Sequence, residues 1–114
     1  MSGYLKTLLF GLVLGHTGLA VGGSASTGGA ALVGDAVAGE ARYKQSCVNC
    51  HGAGGKGVAS YPKVSGQDIA YTTEKLEQYR DGVKFGPNSS LMIMMAKPLS
   101  DQEIADLATY LKDA

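Results

Sequence analysis

Apolar and polar residues alternate along this chain with the period of helices. Asp35 can cap a first helix running to about Ser46, in which Gly39 and Tyr43 fall one turn apart on the same face. Ile69, Thr72/Thr73, Leu76 and Tyr79/Arg80 recur at helical spacing over Asp68–Arg80, and Gly82 supplies the stop. Ile104, Leu107, Ala108 and Leu111 mark the inner face of a last helix from about Asp101 to Lys112. Ser100 and Glu103 form a capping box at its start, and Lys112 suits the negative end of its dipole. No strand-like alternation of any length interrupts this, so the pattern predicts an all-α fold of three main helices joined by loops.

The N-terminal pattern is different in kind. Lys6 is followed by a run, Thr7–Val21, that is almost wholly apolar. A short positive region before such a run reads as a secretory signal, and at about 15 residues it falls short of the ~20 that span a bilayer comfortably. Residues 1–25 are therefore read as a signal segment, with cleavage anywhere between 23 and 38: Gly23-Ser24-Ala25 and Ala36-Val37-Ala38 both offer small residues. Residues 26–34, rich in Gly, Ser and Ala, read as a flexible segment, and 35–114 as the domain proper. Left uncleaved, the first segment would act as a tether, the one way this chain would meet a membrane.

Composition narrows the partners. Ten basic and ten acidic residues give a formal net charge of zero in 114 residues. No basic stripe exists to neutralise phosphates, which excludes nucleic acid as the natural partner. Lys56, Lys63, Lys84 and Lys97 are scattered through expected loops. Gly52-Ala53-Gly54-Gly55-Lys56-Gly57 lacks both the preceding strand and the Lys-Ser/Thr ending of a phosphate-binding loop, and reads instead as a tight return along a bulky group.

That bulky group is named by Cys47-Val48-Asn49-Cys50-His51. Positions i, i+3 and i+4 share one helical face. Two thiols can there join the vinyl groups of one macrocycle while the adjacent imidazole meets its iron, the arrangement of covalently attached haem c. The competing readings fit less well. A disulfide inside one turn closes too short a loop to staple much; a thioredoxin-like pair wants a βαβ setting; and a structural zinc site needs four ligands, where the chain has two Cys and two His in all. Haem attachment to such chains takes place outside the bacterial cytoplasm, so the signal-like N-terminus and the motif support each other and point to the periplasm. A domain of about 80 residues has a marginal apolar core, and a buried porphyrin would complete it.

Opposite His51 the iron needs a second donor. Leu91-Met92-Ile93-Met94-Met95-Ala96 holds every methionine except Met1, and thioether sulfur paired with histidine raises the reduction potential. In an extended loop Met92 and Met94 would lie on one side, so both are candidates.

At this point the chain resembles the class I bacterial c-type cytochromes, small mono-haem electron carriers. The resemblance covers most of 35–114 and rests on Gly39 and Tyr43, Cys47-Val48-Asn49-Cys50-His51-Gly52, Pro62, Gly66-Gln67, Tyr71, Leu76 and the run from Met92 to Tyr110. It implies a ligand methionine in the pattern Met-x-x-apolar-Ala-x-x-Leu-Ser, which Met92 to Ser100 matches with Met92 in the ligand position and Met94 as runner-up. It further implies that the Pro62 carbonyl accepts from His51, that Tyr71 packs near the haem, and that Tyr110 meets the first helix at Gly39. Residues 62–82 look like the short branch that also builds the halves of di-haem cytochromes, with Val64 where leucine is usual and Lys84 where arginine often follows the glycine. The function implied is single-electron shuttling between redox proteins rather than catalysis. The alternative is an electron-accepting subunit of a dehydrogenase acting on sulfur compounds or alcohols.

Overall fold

The computed structural model describes residues 32–114, so the readings made for the N-terminal run lie outside the described residues. The expected helices are all present. Helix α1 covers Ala36–Ser46, α2 Val48–His51, α3 Ile69–Arg80, α4 Ser89–Ala96 and α5 Asp101–Asp113, with a 3-10 turn at Ala53–Gly55. Among the described residues there is no strand, only an isolated bridge between Val58 and Tyr61.

Local signals set the ends of these helices. The Asp35 carboxylate accepts from the N–H groups of Val37 (2.8 Å) and Ala38 (3.2 Å), satisfying donors that the first turn leaves unpaired. At α5 both halves of the capping box form: Glu103 N–H to Ser100 Oγ and Ser100 N–H to the Glu103 carboxylate, each 3.1 Å. Arg42 reaches across from α1 to the same carboxylate at 2.5 Å. Gly82, at φ 86°, closes α3.

The first and last helices cross at a point where side chains have given way to backbone. A Cβ on Gly39 would collide with the Asp106 carbonyl and lie 2.9 Å from Tyr110 Cβ. With no Cβ there, Tyr43 one turn on packs its ring against Tyr110, centroids 5.5 Å apart. Tyr43, Leu99, Ile104, Leu107 and Leu111 form the buried cluster around this crossing, with Ala96 and Ala108 filling the narrow places. Asp106, itself buried, accepts from the Asp35 N–H at 2.8 Å and from Gln102 Nε2 at 2.9 Å, while Gln102 also donates to Val33 O. Through Gln102 the contacts of α5 reach back to the Val33 backbone, although the Val33 side chain stays exposed.

One reading needs correction. The methionine segment is helical, not extended, because Asn88 and Ser89 start a helix the apolar run was too short to announce by its period. The Ser89 hydroxyl, buried, accepts from the N–H groups of Phe85 (2.8 Å) and Gly86 (2.9 Å), turning the chain into α4.

Two stability measurements test this account. Gly39→Ala should cost about 1–3 kcal/mol in denaturant unfolding, the usual range for overpacking, whereas Gly86→Ala, with open space around it, should be close to neutral. The Glu103 carboxyl is held below its ordinary value, first by the Ser100 N–H and further by Arg42. A group depressed in the folded state stabilises above its unfolded pKa and loses that contribution as pH falls through the folded one. Glu103→Gln should therefore lower the melting temperature at neutral pH, and the difference should vanish in acid below the usual carboxylate range.

Candidate functional site

The Cys-x-x-Cys-His stretch begins where α1 ends. Cys47 N–H still donates to Tyr43 O at 2.8 Å, after which the backbone kinks and restarts as α2. Cys47 O then accepts from Cys50 N–H (3.2 Å) and His51 N–H (2.9 Å), closing the single turn that brings the three side chains to one face. Both cysteines are free thiols and half-buried. Burial pushes the Cys47 thiol up, opposed by the Ser46 hydroxyl 3.8 Å away and by the Arg42 guanidinium.

His51 is buried and pinned. Its Nδ1 lies 2.8 Å from the Pro62 carbonyl oxygen, which can only accept, so Nδ1 holds the ring proton and Nε2 carries the lone pair. The loop between these residues is shaped to allow the contact. Gly57 N–H donates to His51 O at 2.7 Å, and Gly55 O takes the N–H groups of Val64 (2.8 Å) and Ser65 (3.1 Å). Gly55 sits at φ 68°, where a Cβ would come within 2.9 Å of Leu111. Tyr43 Oη donates to Gly52 O at 2.5 Å and ties the start of this loop to α1; burial raises the phenol's pKa, so it stays a donor.

These residues form one wall of a cavity in two lobes, about 470 and 370 Å³, that share Cys47, His51, Pro62, Val64, Tyr79, Phe85 and Met92. The first lobe runs past Cys50 under residues 85–91 to Met95; the second runs between Leu107, Leu111 and the α3 side chains Tyr71, Lys75 and Leu76. Met92 thus faces the histidine wall from α4. Met94, two residues on and about 200° around the helix, lines neither lobe and is 58% exposed. Its place beside Met92, expected from an extended chain, is lost because the segment coils. Tyr71 lines the second lobe and is half-exposed at its mouth.

Sequence reasoning missed several lining residues. Phe85 falls on no periodic helical face and Leu91 stands only as part of an apolar run, yet Phe85 is edge-on to Tyr79 at 5.3 Å and lines both lobes. Met95 shares the Met92 face because i and i+3 do on a helix. Asn88-Ser89 before the methionines was the available hint of that helix.

Comparison with known proteins decides the class. The cytochrome c family model matches residues 36–114. The chain belongs to the cytochrome c family. It is 47% identical over 78 residues to cytochrome c-554(548) of Halomonas halodenitrificans, covering 68% of this chain and 93% of that protein. It is 43% identical over 67 residues to a thiosulfate dehydrogenase electron acceptor of Thiomonas intermedia, covering 57% of this chain and 30% of that one. The cytochrome c4 structure from Acidithiobacillus ferrooxidans superposes with a TM-score of 0.64 at 26% identity, over 73% of this chain and 52% of its own. The chain thus spans nearly all of the first relative and about half, or less, of the other two.

As a cytochrome c the protein carries covalently bound haem c with its iron, and Cys47 and Cys50 supply the attachment pattern. The residues present fit that group: a cavity with apolar walls, two unpaired thiols on one turn, and an imidazole whose free nitrogen is Nε2. Tyr61, Tyr71, Phe85, Leu91 and Met95, all more than a third exposed, gather at or line this cavity. A chain made with Cys47→Ser and Cys50→Ser together should come out colourless. It should also show no cooperative near-UV circular dichroism melt like that of the coloured protein.

Proposed function

We propose that this cytochrome c is an exported carrier of single electrons, with His51 and Met92 as the two axial ligands of its iron. Bound haem c supplies reversible one-electron chemistry between ferrous and ferric iron. The chain's own contribution is positional. The Pro62 carbonyl holds the His51 ring in the tautomer that leaves Nε2 free, and this contact also makes the imidazole a stronger donor. Met92 occupies the cavity face of α4, with buried Ala96 one turn further along the same face and the Ser89 turn holding the start of the helix. Side chains from α3, α4 and α5, among them Leu76, Tyr79, Leu91, Leu107 and Leu111, would keep water from the space between once the haem is bound. With His51 and Met92 both given to the iron, no site on the metal would be left for a substrate, as suits a carrier rather than an enzyme.

The observation that carries this reading is the arrangement of His51 and Met92 across one cavity that also holds both thiols. In the ferric protein the weak near-infrared band of a sulfur–iron bond should be lost in Met92→Ala and kept in both Met94→Ala and Met95→Ala. Rapid binding of carbon monoxide to the reduced wild-type protein would count against the pair.

The apolar run at 7–21 supports export to the periplasm, and no helix among the described residues is long and apolar enough to cross a membrane. Cell fractionation tests the location directly. A second reading has its own support: one relative is named as the electron acceptor of thiosulfate dehydrogenase. On that reading the chain serves a catalytic partner in sulfur-compound oxidation, and native purification separates the two. A free carrier elutes alone, and a subunit elutes with a larger chain.

A further inference from the structure

The charged side chains lining the cavity are not evenly spread. The first lobe, beside Cys50, has no Lys, Arg, Asp or Glu in its lining. The second has two, Lys63 and Lys75, and no carboxylate. Lys63 is exposed; Lys75, on α3, is half-buried. The Lys75 ammonium sits 3.8 Å from the centroid of the Phe85 ring and 5.8 Å from that of Tyr71. No acidic side chain bonds to it among the described residues, where the ion pairs are Arg42–Glu103, Lys44–Glu40 and Arg80–Asp101.

A cation placed between two aromatic faces at the mouth of an apolar cavity is held in position and partly dried. Its stem lies along the wall while its head waits for a negative group. Haem provides one: its two propionate carboxylates leave the macrocycle on the side away from the vinyl groups that thiols attack. Cys47 lines both lobes and Cys50 only the first, so the end of the second lobe away from the thiols, at Tyr71 and Lys75, is where the acidic edge would meet a basic side chain. From this geometry we propose that Lys75, positioned by Phe85 and Tyr71, is the residue that pairs with a haem propionate, and that its charge raises the reduction potential of the iron. Tyr71 and Phe85 are positioning residues in this scheme. The inference rests on the haem site and is independent of which methionine ligates.

The sign follows from electrostatics. A positive charge near the cofactor disfavours the ferric form, which has one more unit of charge, and does so more strongly in a partly dried setting than in water. The test is the midpoint potential of the haem-loaded protein at fixed pH and ionic strength. Lys75→Gln should lower it by an amount equal to roughly a threefold to tenfold shift in the ferrous-to-ferric ratio, tenfold being about 59 mV for one electron. Lys75→Glu should lower it further, and Lys75→Arg should restore most of it. Lys84→Gln removes the same charge from an exposed lysine that lines neither lobe, and should leave the potential unchanged. Visible and near-infrared spectra matching wild type show that the axial ligands are intact in each variant, so a failure of the His51–Met92 reading cannot pass for a failure of this one. The proposal is overturned if Lys75→Gln keeps the wild-type potential, or if Lys84→Gln moves it as far.

Discussion

The contact on which the site depends is one of backbone against backbone, where α1 crosses α5 at Gly39 and the Asp106 carbonyl. The closeness of that crossing lets Tyr43 pack its ring, tilted by 52°, against Tyr110 and reach Gly52 O. Through Tyr43 the end of α1 is oriented, and with it the turn from Cys47 to His51. The far end of α5 meets the same loop from the other side, where Leu111 touches Gly55 and its carbonyl accepts from Gly66 N–H at 2.8 Å. Two helices distant in sequence thus clamp the loop that carries the Pro62 carbonyl to His51. An extra methyl at the crossing would be felt at a ring nitrogen several residues away.

What this clamp cannot provide is a full interior. The buried cluster amounts to Tyr43 and a handful of aliphatic side chains, mostly from α5. Helices α3 and α4 turn Leu76, Tyr79 and Met92 toward the cavity, Leu76 and Tyr79 also packing against the edge of that cluster. A small chain gains limited burial for the conformational entropy it gives up, and an apolar macrocycle supplies the missing surface. Cofactor binding and folding are then parts of one free energy. The chain that fixes the haem by two thioethers is also the chain that needs it.

The cavity is chemically divided, and the division suits a carrier. Around Cys50 and residues 85–91 the lining is uncharged, which suits electron exchange with a partner across a short apolar path. The charges sit at the other lobe, Lys75 on α3 and Lys63 on the Pro62–Gln67 loop, with no carboxylate beside them in its lining. One fold thus keeps the uncharged lining beside Cys50 apart from the two lysines.

Much of this was readable from the chain because it depends on near neighbours. The caps at Asp35 and Ser100, the periodic faces of α3 and α5, and the spacing of Cys47, Cys50 and His51 are each decided within about one turn of helix. Gly39 with Tyr43 was legible as a close crossing, and a glycine inside a helix has few other uses. The methionines were not legible to the same degree: six apolar residues in a row have no period, so only the Ser89 turn and the packing on α3 decided that they coil. That coiling places Met92 inward and Met94 in solvent, a distinction made by rotation about a helix axis. Lys75 and Phe85, ten residues apart, meet only because the chain doubles back after Gly82, and no local pattern records such a meeting. The sequence alone determined the chemistry of attachment, since covalent spacing is local; the tertiary structure alone decided which side chains face that chemistry, since facing depends on how distant elements pack.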